Sequence, residues 1–107
     1  MWRHTMKKHV IRKFRRPNTD VEFFPINENI GFYVETAYAD TGKLLTRSTY
    51  LSDDLLVLTN ETVFDSEQSY LMWQTDTTLE AFWQLRKTWN FNNSIIDIEK
   101  TVSDIPD

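Results

Sequence analysis

The chain contains no cysteine, which excludes a disulfide framework, thiolate nucleophiles and cysteine-based zinc sites. Glycine occurs only twice in 107 residues. That is too few for a phosphate-binding loop or a dinucleotide fingerprint, and no nucleophile elbow is present. The two histidines, His4 and His9, stand among scattered acids without metal-ligand spacing. Asp53-Asp54 reads as a turn rather than a metal site. No stretch approaches the roughly 20 apolar residues of a membrane span. The basic opening "MWRHTMKKHVIRKFRR" lacks the continuous apolar centre of a signal peptide. These absences lead to the expectation of a soluble, cytoplasmic protein with no membrane partner, no metal and no cofactor.

What is present is a composition for one folded core. The chain is 40% hydrophobic and 14% aromatic, enough for a single domain over residues 1–107. Charge is unevenly placed. Arg3, Lys7, Lys8, Arg12, Lys13, Arg15 and Arg16 fall in the first sixteen residues without one acid, yet the whole chain carries −4. A basic segment of this kind suits a nucleic acid or an acidic partner. The acidic remainder, which repels a phosphate backbone, favours a basic strand neutralised inside the fold.

Hydrophobic periodicity predicts the elements. Val10 to Phe14 reads as a strand, ended by "RPNTD". Asn27 is a helix cap, and Ile30, Tyr33, Val34, Ala37 and Tyr38 form a helical stripe over roughly 28–40, with Gly31 weakening it and Gly42 stopping it. Residues 44–51 and 55–64 form a hairpin around "SDD". Asp65 or Ser66 caps the next helix, and Thr77 with Glu80 forms a capping box that restarts it after a break near Asp76. Leu79, Phe82, Trp83, Arg86 and Trp89 follow on this second piece. Ile95 to Val102 reads as the last strand. The domain core is then about 7–102, and "SDIPD" is a loose tail.

The resulting β-α-β-β-α-β order implies an α+β fold, ferredoxin-like, with an antiparallel sheet whose first strand lies between the third and fourth. Its neighbours would bring Glu61, Asp97 and Glu99 to the basic strand. With the helices on one face, the other face is expected to be bare and rich in Leu, Val, Ile and Phe, which marks an interface.

The segment carrying Phe64, Ser66, Glu67, Tyr70, Trp73 and Asp76, continued by Phe82 and Trp83, resembles the antibiotic-biosynthesis-monooxygenase-like proteins of the dimeric α/β-barrel superfamily. The resemblance implies a homodimer in which two sheets face each other. It also implies cofactor-free oxygenation of flat, polyphenolic or quinone-like molecules, or degradation of haem. The haem-degrading members use an Asn, a Trp and a His where this sequence has Lys8 or His9, Phe64, and the neighbourhood of Trp83. None of those three is retained, so haem degradation is not expected.

The candidate ligand-binding residues are therefore Tyr33, Asn60, Trp73 and Trp83, with the tryptophans either stacking on a flat ligand or filling the core. His9, Asn60 and Arg47 are the candidate polar groups for chemistry, though His9 alone on a strand also reads as structural. Tyr33 and Tyr38 read as core residues with hydroxyls toward water. Two functions follow. One is a homodimer that binds a small, flat, apolar molecule, with cofactor-free monooxygenase-like chemistry. The other is a non-catalytic structural or regulatory dimer module whose basic N-terminal strand contacts an acidic partner.

Overall fold

Four strands form one antiparallel sheet in the order β2-β3-β1-β4. They are β1 (Lys7–Arg15), β2 (Leu44–Leu51), β3 (Val57–Phe64) and β4 (Ile96–Ile105). The computed structural model describes residues 6–106; Arg3 and His4 lie outside that range, as does Asp107. The helices are α1 (Glu28–Val34), α2 (Glu67–Thr75) and α3 (Thr77–Asn92). A π-helical turn, Glu35–Ala39, continues α1. The fold is thus a small α+β domain, and among the described residues no helix is long and apolar enough to cross a membrane.

Local chemistry sets the ends of each element. Asn27 caps α1 by accepting from the Ile30 amide at 2.9 Å, as its position before the apolar stripe predicts. Ser66 rather than Asp65 caps α2, accepting from the Ser69 amide. The cap of α3 is Asp76, not Thr77: its Oδ1 accepts from the amides of Thr78 and Leu79. A carboxylate satisfies two orphan amides and matches the positive helix end, so it outcompetes the neighbouring hydroxyl. Gly42 adopts φ 77° behind the π-helical turn, a conformation that glycine enters without Cβ strain.

Residues along a strand alternate between faces. Val10 and Phe64 pack with Val34, Tyr38, Leu44, Tyr70 and Leu79 in the buried core, which fixes the face that the helices cover. Phe14, Leu58 and Asn60 share it. Burying each large apolar side chain contributes on the order of 1.5–3 kcal/mol.

The opposite face corrects an expectation. It presents His9, Lys13, Glu61 and Glu99 interspersed with Ile11, Val57 and Val63, a mixed surface and not a purely apolar one. His9 Nε2 hydrogen-bonds Glu61 Oε1 at 2.8 Å, and Lys13 lies 3.5 Å from Glu99. Charges on β1 are in fact neutralised on both faces, since Arg12 pairs with Asp97, and Lys8 with Asp104, on the helical side. That last pair depends on a second correction: β4 continues through Ser103 and Asp104 to Ile105, where the turn-like "SDIPD" predicts a loose tail. Lys7 opposes Ile105 in the register. Backbone pairing along β1 outweighs the weak strand propensity of serine and aspartate.

Candidate ligand-binding cleft

A cleft of about 260 Å³ opens between the helical face of the sheet, α3 and the 16–27 loop. Its floor is Phe14, Leu58, Asn60 and Thr49. Phe23, Phe24 and Ile26 supply one wall, and Phe82, Arg86 and Asn90 the other. Strand alternation delivers the floor residues: Phe14 opposes Leu58, and Asn60 opposes Thr49, in the pairing register. On α3, Phe82, Arg86 and Asn90 recur at every fourth residue and so share one face.

The loop is held open by specific ties. The Arg16 guanidinium donates to the carbonyls of Leu55 and Val21 at 2.8 and 2.9 Å, and sits 4.8 Å from the Phe23 ring centre. Trp89 Nε1 donates to the Glu22 carbonyl at 2.9 Å. Phe24 then lies 5.2 Å from Phe82 and 6.1 Å from Trp89, centre to centre. These tilted contacts are the favoured geometry for aromatic pairs.

The polar groups are few. Asn60 Oδ1 accepts from the Thr49 hydroxyl at 3.0 Å, which orients the amide within the floor. Arg86 lies largely buried, with its guanidinium 4.9 Å from the Phe14 ring centre. Arg12 approaches the same ring at 5.2 Å. Burial, and then the proximity of Arg12, lower the Arg86 pKa to about 10, and Asp97 opposes the shift. The side chain stays cationic at neutral pH. Among the described residues it forms no hydrogen bond and no ion pair.

Of the residues read from sequence as ligand-binding, only Asn60 reaches this cleft. Trp73 and Trp83 pack elsewhere: Trp73 lies 5.1 Å from Tyr38, 5.3 Å from Phe64 and 5.9 Å from Trp83. These contacts make the pair part of the core. Tyr33 joins them, and its hydroxyl, like that of Tyr38, donates to Asp76 rather than facing water. His9 is on the far face of the sheet. Arg47 borders a separate shallow depression with Val34, Glu35 and Leu44. His9, Asn60 and Arg47 therefore do not converge on one reacting atom.

Phe23, Phe24 and Arg86 are the site residues that periodicity missed. The two phenylalanines belong to an irregular loop, where no period exists to read. Arg86 did leave a signal, because it stands on the apolar stripe of Leu79, Phe82 and Trp83, where an arginine needs a reason to be. Among the described residues no group of acids and histidines could hold a metal ion. Comparison with protein-family models, with curated proteins and with solved structures finds no match to this chain.

Proposed function

We propose that this protein binds a small, flat, apolar molecule in the cleft between α3, the 16–27 loop and the sheet. The observation that carries the reading is a concave site lined mainly by Phe14, Phe23, Phe24, Leu58 and Phe82. Few polar groups converge on it, which is the usual make-up of small-molecule sites. A space of about 260 Å³ suits one or two fused rings, below the range of drug-sized ligands.

The ferredoxin-like description of the domain is supported by the central position of β1 between β3 and β4. A homodimer, implied by the family resemblance, draws support from apolar side chains exposed on the edge strand β4, Ile96 and Ile98. Binding without turnover is the function favoured here over monooxygenase-like chemistry. Among the described residues no carboxylate or histidine lines the cleft, so none of them is a candidate general base for substrate activation there. The alternative of a regulatory module with a basic strand loses its motive, since Lys8, Arg12 and Lys13 already have acidic partners.

Titration with 2-naphthamide, a neutral planar probe, followed by naphthalene fluorescence, tests the reading. Saturable one-to-one binding is expected, and Asn90→Trp, which adds an indole to the lining, should abolish it. Unaltered binding in that variant would place the ligand elsewhere.

A further inference from the structure

The cleft holds an unbalanced charge. Arg12, Arg86 and Asp97 gather around the Phe14 ring, two guanidiniums with one carboxylate. Arg12 takes that carboxylate through its own Nη2. Arg86 is left with a cation–π contact and the through-space attraction of Asp97, without a hydrogen bond or ion pair of its own among the described residues. A guanidinium carries five donors, and this one lines a mainly apolar cleft. Neighbouring side chains displace part of its solvent, and that burial lowers its pKa. A partly desolvated cation whose nearest carboxylate is already taken by Arg12 is costly for the empty protein, and an anion placed against it offsets that cost.

The planar fork of arginine matches a carboxylate in two parallel hydrogen bonds. The rings around it define what the carboxylate must be attached to. Phe14 lies under Arg86, while Phe24 and Phe82 meet at 5.2 Å on the facing walls. The Asn60 amide, held by Thr49, adds a neutral group on the floor. Building on the ligand-binding reading above, we infer that the occupant is a planar aromatic carboxylate, with its ring among Phe14, Phe24 and Phe82 and its carboxylate on Arg86. Arg86 is then the specificity residue of the cleft. The lysine and histidine side chains of β1 take no part, being paired along the sheet.

The test compares 2-naphthoate with 2-naphthamide, which match in shape and differ in charge, on the full chain at pH 7. The carboxylate should bind about tenfold or more tightly, the scale of a charge-assisted hydrogen bond. Arg86→Met should bring the ratio close to one while naphthamide binding persists. Arg86→Lys should give an intermediate ratio, since it keeps the charge and loses the fork. Near-ultraviolet circular dichroism of each variant establishes that it is folded. Equal binding of both probes by the unmodified protein overturns the carboxylate assignment and leaves the cleft as an apolar site. Failure of both to bind at millimolar concentration overturns the cleft reading itself. A preference for naphthoate that survives in Arg86→Met also defeats the assignment.

Discussion

The Tyr38 hydroxyl donates to Asp76 Oδ2 at 2.6 Å and so ties the π-helical turn to the junction of α2 and α3. Tyr33 donates to the same oxygen at 2.7 Å, while Oδ1 caps α3. One carboxylate thus joins three elements. Asp76→Ala removes the cap and leaves the Tyr38 hydroxyl, whose residue is 1% exposed, without its partner. A loss of about 2–3 kcal/mol is expected from the cap and the orphaned hydroxyl together. Urea unfolding at unchanged m-value measures it. A loss below about 0.5 kcal/mol would mean that the junction is held by packing alone.

The same site should respond to acid. Burial alone would raise the Asp76 pKa, but hydrogen bonds from Tyr38, Tyr33 and the Leu79 and Thr78 amides overcome it, and the net shift is downward. A carboxylate depressed in the folded state stabilises above its unfolded pKa of about 3.9 and loses that contribution as pH falls through the folded value. The difference in melting temperature between the parent and Asp76→Asn should therefore shrink below about pH 4. A difference independent of pH from 7 to 2.5 would exclude this role for the charge.

At the alkaline end Tyr38 is the reporter. Burial first, then its hydrogen bond to Asp76, push its pKa well above the ordinary phenol value. A group raised on folding stabilises below its unfolded pKa, about 10, and that stability fades as pH rises through the folded value. Tyr38→Phe should be less stable than the parent at pH 7, and the gap should narrow as pH rises above about 10. Parallel stability curves would show that Tyr38 ionises as readily in the folded protein as in the unfolded chain.

Two backbone positions predict gains. A Cβ on Gly31 meets nothing within 4 Å, so Gly31→Ala should stabilise α1 by about 0.5–1 kcal/mol. Leu55 adopts φ 64° in the β2–β3 turn with its side chain exposed. Leu55→Gly relieves the left-handed strain there, which costs a non-glycine residue about 1–2 kcal/mol. Both are read from thermal melts, and a decrease in either case would contradict the assigned geometry.

Core and cleft should separate in one variant. Trp73→Phe shrinks a ring packed on Tyr38, Phe64 and Trp83. It should cost about 1–3 kcal/mol of stability, as large-to-small core changes do. The affinity for 2-naphthamide should stay the same. A fall in affinity without a loss of stability would return Trp73 to the ligand site.

Sequence legibility followed regularity. Asn27, the break near Asp76 and the acidic partners of β1 were readable because caps and alternating charge act over a few residues. The cleft was not, because Phe23 and Phe24 reach it from a loop fixed by Arg16 and Trp89, ties made across 39 and 67 residues. Trp73 and Trp83 admitted both a core and a ligand reading for a related reason. Large rings at helical spacing look alike whether they enclose a ligand or one another, and only the facing strand decides. On the open face the acids placed beside β1 by the strand order do pair with it, His9 with Glu61 and Lys13 with Glu99.

The place of β1 in the sheet has a consequence for how the chain is made. Its register with β4 joins Lys7 to Ile105 and Arg15 to Ile96, so the first strand translated waits for the last. At ordinary elongation rates that delay is on the order of seconds. Until β3 is made, β1 offers two unpaired edges to every other nascent copy, and afterwards the one that awaits β4. Lys7, Lys8, Arg12, Lys13 and Arg15 crowd those edges with like charge, which repels a second β1 and spares the strand for its own acidic neighbours. Neutralising Lys8, Arg12 and Lys13 together should therefore raise aggregation during synthesis more than it lowers the stability of the molecules that do fold. Equal soluble yield from that triple variant would show that the ribosome or the remaining chain shields the strand instead.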